Sequence, residues 1–229
     1  MAKARRIRIT GKRVDGPISK YINRKISSKI TEYILIKGVS VTPNQISVFS
    51  FLIAVLSLPF YFLGGYLIII GGLLAQLSSI IDGVDGELAR ALNMSSKRGA
   101  FFDAILDRYA DMIILLGFSI CLYKHFPHLI WLILTFLVLS GDVFVSYLHL
   151  RSTHDLKIHP ASIKEMNSVA SRDVRIFIVF VGSVFGAFHY LAILFTFIFL
   201  AILTHTYVIV KLFLLLETSR DREVGGEVV

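Results

Sequence analysis

The stretch Ile81–Asp111, "IDGVDGELARALNMSSKRGAFFDAILDRYAD", decides how this chain is read. It places Asp82, Asp85, Glu87, Asp103, Asp107 and Asp111 in or beside apolar segments of a protein that is 55% hydrophobic. A carboxylate in such surroundings is costly and is a functional candidate by default. Asp82 and Asp85 lie three positions apart, and Asp103 and Asp107 four, so on helices each pair shares a face. Gly99 lies one turn before Asp103, on that same face. The short connection "NMSSKR" makes the two helices antiparallel neighbours, with their acidic ends meeting at one depth. Four carboxylates converging in a low dielectric repel each other strongly. Hard divalent cations such as Mg²⁺, Mn²⁺ or Ca²⁺ suit such oxygen ligands, and shared oxygens could hold two ions about 4 Å apart. Gly83, Gly86 and Gly99 lower helix propensity and open space beside the acids. A calcium-loop reading fails, because Val84 stands where a ligand is needed. Ion pairing with Arg90, Lys97, Arg98 and Arg108 accounts for part of the charge. It does not account for six acids and three glycines on two adjacent segments.

Outward from this stretch, composition points to a bilayer. Only 17% of the 229 residues are charged, against about 25% in soluble domains, and the length suits one domain. The net charge is +8, and eleven of the 24 Lys and Arg precede Ile46. Beside apolar spans, such a basic segment is expected to meet anionic lipid headgroups and not nucleic acid. A single cysteine, Cys121, excludes an intrachain disulfide framework. The start "MAKARRIRITGKR" is basic without an apolar stretch directly after it, so no cleavable signal peptide is expected.

A membrane span needs roughly 20 apolar residues. The pattern predicts an all-α integral membrane protein with six transmembrane helices. They run over about Ile46–Leu63, Tyr66–Leu92, Gly99–Tyr123 and Leu129–Leu150, then two cut from Val174–Leu216 by a break near Gly186–His189. Pro59 is expected to kink the first. The connections "FLGGY", "KHFPH" and "GAFHY" hold one Lys or Arg, Lys124, while the opposite side is rich in both. By the positive-inside bias that opposite side is cytoplasmic, with both termini and the acids. Before the first span, residues 15–38 predict an amphipathic helix opening at Asp15-Gly16-Pro17. Ile18, Ile22, Ile26, Ile30, Tyr33 and Ile34 recur at helical spacing among Lys20, Arg24, Lys25 and Lys29. This fits a helix in the headgroup plane; a soluble helix packed on another domain is the alternative. Residues 1–14 are expected to form a basic N-terminal segment, either a linker or a remnant of a fusion, 39–217 the six-helix domain and 218–229 a cytoplasmic tail.

The acidic run reads D-x2-D-G-x2-A-R-x8-G-x3-D-x3-D through Asp82, Asp85, Gly86, Ala89, Arg90, Gly99, Asp103 and Asp107. It resembles the signature of the CDP-alcohol phosphotransferases, and "TPNQIS", with Pro43 and Asn44, resembles that family's lead-in to the first span. The resemblance extends over nearly the whole chain. It implies that Asp82, Asp85, Asp103 and Asp107 surround two divalent cations, Mg²⁺ or Mn²⁺, with Asp82 and Asp103 bridging both. It implies that Asp107 is also the catalytic base for the acceptor hydroxyl. Asp85, Gly86, Ala89, Arg90, Gly99, Pro43 and Asn44 would receive the CDP donor, and CMP would leave. It also implies a homodimer.

The acceptor is open at this level. Arg151, Arg172 and Arg175 lie on the basic cytoplasmic side, with His154, Lys157, His159 and Lys164. Arg172 and Arg175, three apart, could clamp a phosphate on the acceptor, or simply follow the positive-inside bias. The stretches "DGPISKYINRKIS" and Ala170–Arg175 resemble the archaeal and hyperthermophile branch. That branch includes di-myo-inositol phosphate phosphate synthases, often fused behind a cytidylyltransferase domain. The chain is then a stand-alone enzyme or the membrane part of a fusion. The expected reaction joins CDP-inositol to inositol 1-phosphate. The alternative is a phospholipid synthase using CDP-diacylglycerol, of the phosphatidylinositol phosphate or phosphatidylglycerol phosphate type. An ion-coupled transporter is a further alternative, though neither repeats nor broken midplane helices are evident. An intramembrane prenyltransferase would need two separate Asp-rich motifs. Asp142 either pairs with a neighbour or lines the cavity, Asp111 braces a base such as Arg108, and Lys211 can snorkel inward.

Overall fold

The computed structural model describes residues 16–163, 166 and 168–224, which are mostly helical and contain no strand. The N-terminal segment 1–14, Asp15, Lys164 and the end of the tail, 225–229, lie outside the described residues. A π-helical turn, Ser19–Asn23, leads into α1, Arg24–Lys37, which ends on Gly38 in the left-handed conformation (φ 63°). The long helices follow as α2 (Pro43–Leu63), α3 (Leu67–Ala91), α4 (Lys97–His125) and α5 (Leu129–Asp155). A short 3₁₀ turn, Pro160–Ser162, precedes α6 (Arg172–Gly186) and α7 (Leu191–Val224). The break expected near Gly186–His189 is therefore present.

Local chemistry sets the starts. Thr42 and Gln45 form a reciprocal capping box at α2, with Pro43 in the first turn, where a missing N–H costs nothing. The Ser96 hydroxyl accepts from Gly99 N at 3.0 Å and opens α4 directly above the acids. Pro59 lies inside α2, one turn before its end at Leu63.

Four helices are long and apolar enough to cross a membrane: Pro43–Leu63, Leu67–Ala91, Leu129–Asp155 and Leu191–Glu223. The sequence expectation was six. The other two are α4, whose first half carries Asp103, Asp107, Arg108 and Asp111, and α6, whose 15 residues rise only about 22 Å.

The bundle packs α2 along α3 and α4, α5 against α7, and α6 against α3 and α7. Its centre is aromatic. Tyr61 meets Phe118 edge-on at 5.5 Å, Phe118 stacks on Phe197 at 5.4 Å, and the Tyr61 hydroxyl lies 3.0 Å from Ser183 Oγ. Small residues let the backbones approach. At Gly72, a Cβ would lie 2.5 Å from Ser183 Cβ, so α3 and α6 could not keep this spacing with alanine there. Large apolar side chains point outward on the long helices, among them Phe49, Leu52, Phe136, Phe195 and Phe213.

The helix α1 is built the other way round. Its buried residues are the polar Ser27 and Thr31, with Asn23 just before them, while Ile22, Ile26, Tyr33 and Ile36 are exposed. It lies on α3 through hydrogen bonds and through Ile30, Ile34 and Leu35, which pack on the apolar cluster of Ile81, Val84 and Leu88. Asn23 Nδ2 donates to Ser79 Oγ (3.3 Å), and Gln76 Nε2 donates to Asn23 Oδ1 (2.8 Å). Glu87, fully buried on α3, accepts from Arg24 Nη1 (2.7 Å), Ser27 Oγ (2.8 Å), Ser28 Oγ (3.2 Å) and Thr31 Oγ1 (2.8 Å). A carboxylate taken from water needs such compensation. Glu87 thus belongs to the docking of α1 and not to the acidic site.

Candidate active site

The second half of α3 and the first half of α4 bring the acids together as their spacing requires. One carboxylate oxygen each from Asp82, Asp85 and Asp103 lie within 4.8 Å of one another. Asp107, one turn beyond Asp103, turns toward α6. The Arg172 guanidinium bridges it to Asp82: Nη1 is 2.9 Å from Asp82 Oδ2 and 2.9 Å from Asp107 Oδ1, while Nε donates to Asp111 Oδ1 at 2.8 Å. The set is short of positive charge, and a cation from α6 sits in it. Asp85 is buried and accepts a hydrogen bond from Ser47 Oγ on α2. Ser47 lies within the lead-in to α2, three residues after Asn44. That spacing places it on the same helical face, but nothing in the sequence indicates which acid it meets.

Behind the acids lies a layer of arginine–carboxylate pairs. Asp111 is fully buried and also receives Arg108 Nη2 at 3.1 Å, the contact expected of it. Asp142 on α5 pairs with Arg175 Nε (2.7 Å) and Arg108 Nη1 (3.3 Å). Of the two readings of Asp142, pairing holds. Arg175 is itself buried and donates to the Ala170 carbonyl at 2.5 Å. These pairs hold the start of α6 against α4 and α5, which fixes where Arg172 reaches.

Two cavities flank the acids. The smaller, about 210 Å³, lies between the start of α2, the end of α3 and the start of α4. All seven residues expected to receive the donor line it: Pro43 and Asn44 on α2, Asp85, Gly86, Ala89 and Arg90 on α3, and Gly99 on α4. Ser47, Ser95, Ser96 and Asp103 complete its polar wall. The space depends on the glycines. A Cβ on Gly86 would come within 3.2 Å of Arg90 Nη1, and one on Gly99 within 3.1 Å of Ser96 Oγ and 3.4 Å of Asn44 Oδ1.

The larger cavity, about 410 Å³, is bounded by Asp82 and Asp107 and runs along α5 and α6. Arg172 and Arg175 line it, as does Arg108. Arg151 does not; it pairs with Asp155 one turn along α5, at 2.6 Å, and is half exposed. The sequence reading missed the wall supplied by the segment before α2. Gly16, Ser19, Asn23, Arg24 and Ser27 all face this cavity, and Ser19 N donates to Asp173 Oδ2 at 2.5 Å.

The profile of the CDP-alcohol phosphatidyltransferase family matches residues 40–207. The chain is 37% identical over 207 residues to the bifunctional IPC transferase and DIPP synthase of Aquifex aeolicus, covering 87% of this chain and 44% of that protein. It is 33% identical over 150 residues to the archaetidylinositol phosphate synthase of Pyrococcus horikoshii, covering 66% of this chain and 73% of that one. The chain thus spans less than half the length of the bifunctional relatives it matches. Its fold is shared with the Mycobacterium tuberculosis phosphatidylinositol phosphate synthase PgsA1, solved with CDP-DAG bound. The TM-score is 0.67 at 20% identity, over 83% of this chain and 94% of that one. The same protein in complex with manganese and citrate superimposes with a TM-score of 0.66 at 19% identity, over 83% and 88%. With the acidic signature, the helical fold and the profile match in agreement, the chain belongs to the CDP-alcohol phosphatidyltransferase family.

Proposed function

We propose that this protein is an integral membrane CDP-alcohol phosphotransferase that moves a substituted phosphoryl group from CDP-inositol to inositol 1-phosphate. The observation that carries this reading is one acidic cluster shared by two unlike cavities. The small glycine-lined cavity suits the cytidine and diphosphate of a donor, and the large arginine-lined one suits a phosphorylated polyol. The named relatives with DIPP synthase activity support this choice of substrates.

The residues fit a divalent metal site. Three hard carboxylates converge within 4.8 Å, and a guanidinium already bridges Asp82 and Asp107. Asp82, Asp85, Asp103 and Asp107 would hold two ions, Mg²⁺ or Mn²⁺. Such ions, when bound, offset the charge of the diphosphate and stabilise the leaving CMP. Asp107 faces the large cavity and is the base: it takes the proton as the acceptor oxygen bonds to the β-phosphorus and the bond to CMP breaks. Ser47 fixes the rotamer of Asp85, and Arg90 contacts the diphosphate. Arg172 and Arg175 hold the acceptor phosphate; Arg151, at the rim of α5, adds only long-range attraction.

In this reading residues 39–217 form one domain in which α4 and α6 also cross the bilayer, making six spans. The exposed apolar face of α1 lies in the cytoplasmic headgroup layer, both ends of the chain face the cytoplasm, and the active site opens there. Two copies form a homodimer. A second reading, with a CDP-activated lipid such as CDP-diacylglycerol as donor, is favoured by the archaetidylinositol phosphate synthase relative and by the CDP-DAG-bound structure that shares this fold.

The test is CMP release by the purified protein with Mg²⁺ or Mn²⁺. CDP-inositol and CDP-diacylglycerol are each offered with inositol, inositol 1-phosphate, glycerol 3-phosphate or serine. Release with CDP-inositol that depends on inositol 1-phosphate is expected. Release only with CDP-diacylglycerol selects the second reading, and none with either donor overturns both.

A further inference from the structure

The large cavity has a second polar region that the acids and arginines do not explain. His149 on α5 lies seven residues, about 10 Å of helix, beyond Asp142. Its ring meets that of His159, in the connection after α5, with centroids 5.6 Å apart, and both line the cavity. His149 Nε2 is 2.8 Å from the buried Tyr207 hydroxyl of α7. His159 opens the Pro160–Ser162 turn, and its Nδ1 accepts from Ala161 N at 3.2 Å. An imidazole that accepts at Nδ1 carries its proton on Nε2, which is then a donor.

That turn is held by an unusual residue. Lys211 on α7 is completely buried and donates from Nζ to the carbonyls of Pro160 (2.9 Å) and Ile163 (2.8 Å). It does not snorkel to the surface. Burying an ammonium is costly, and a turn that merely connected two helices would not need one. Among the described residues, this bond ties α7 to the segment that presents His159.

We propose that His159 is a specificity-determining residue of the acceptor cavity, donating from Nε2 to a ring hydroxyl of a cyclic polyol phosphate, and that Lys211 is its positioning residue. The inference rests on the acceptor reading above. A ring held by its phosphate at the arginines and by its attacking hydroxyl at Asp107 still has hydroxyls to satisfy, and the imidazole layer supplies partners for them. A three-carbon acceptor offers no such group there. A site with a donor placed for a substrate hydroxyl discriminates against an acceptor lacking it.

The test compares inositol 1-phosphate with glycerol 3-phosphate in kcat/KM for wild type, His159→Ala, His159→Gln and Lys211→Met. Wild type should prefer the inositol phosphate. His159→Ala and Lys211→Met should lower that preference about tenfold, as expected for one lost hydrogen bond, through the KM of inositol 1-phosphate and with the KM of the CDP donor unchanged. His159→Gln should keep most of the preference, because its amide N–H reaches the position of Nε2. Calorimetric titration of inositol 1-phosphate without donor should show the same order of affinities. Equal losses with both acceptors, a changed donor KM, or no wild-type preference would overturn the proposal. If wild type releases no CMP with any pair, the functional reading fails and the titration alone decides. Weaker binding by His159→Ala then upholds the polyol site, and equal or absent binding in wild type and variant sinks it.

Discussion

The two cavities beside the acids differ in how they are built. The small one is made by absence: Gly86, Ala89 and Gly99 leave room, and its walls come from neighbouring turns of α2, α3 and α4. The large one is made by charge brought from a distance, with Arg108, Arg172 and Arg175 set by buried Asp111 and Asp142, and one wall supplied by the segment before α2. A flat, neutral base can be selected by shape. A small polyanion must be held by placed donors, which only several elements together can supply. One acidic cluster joins them, with Asp85 and Asp103 on the small cavity and Asp82 and Asp107 on the large one, so variants should divide into those that disable the shared chemistry and those that affect one cavity.

The largest effect should come from the acidic cluster. Asp107→Asn is expected to lower the rate of CMP release by about 10²–10⁴-fold, the usual contribution of a positioned base, while Mn²⁺ binding followed by paramagnetic resonance persists. Wild-type turnover in that variant removes Asp107 as the base. Next is the docking of α1. Glu87→Ala leaves Arg24 and three hydroxyls without their buried acceptor, a loss on the order of 3–5 kcal/mol in stability, read as a lower Tm. Because Asn23 and Arg24 wall the large cavity, any surviving activity should show a raised acceptor KM and an unchanged donor KM. A raised donor KM instead would mean that α1 shapes the wrong cavity.

Filling the small cavity should do the reverse. Gly86→Leu is expected to raise the KM of the CDP donor at least tenfold, about 1.4 kcal/mol, and to leave calorimetric binding of inositol 1-phosphate intact. Loss of both would show that the cavities are not independent. The smallest effect belongs to Arg151→Ala. Its partner is Asp155 and it is half exposed, and exposed pairs contribute about 0–1 kcal/mol. The change in acceptor KM should stay within about twofold at moderate salt. A larger loss would place Arg151 in the acceptor site after all.

The acids, the glycines and the open space beside them were legible in the sequence because their relations are local. Three- and four-residue spacings fix a helical face, and a short connection fixes an antiparallel neighbour. The break between α6 and α7 and the caps at Thr42 and Ser96 are local in the same sense. What sequence could not assign are partners far apart in the chain. Glu87 reads as one acid among six until α1, some 60 residues earlier, is laid beside it. Arg172 reads as a phosphate clamp or as positive-inside bias until α6 packs on α3 and places it between Asp82 and Asp107. Lys211 reads as a snorkelling lysine until the turn after α5 folds over it. The inward polar face of α1 is a further case. Its isoleucines have helical periodicity whichever side they face; beside the buried carboxylate on α3, Ile22, Ile26 and Ile36 are left exposed while Ile30 and Ile34 pack on the core. Hydrophobic and acidic periodicity therefore determined which elements exist and which residues share a face, since these follow from the 3.6-residue helical repeat. Tertiary packing decided which charge meets which, because a buried ion pair is set by the cost of leaving either partner alone, and that cost depends on what the fold brings within 3 Å.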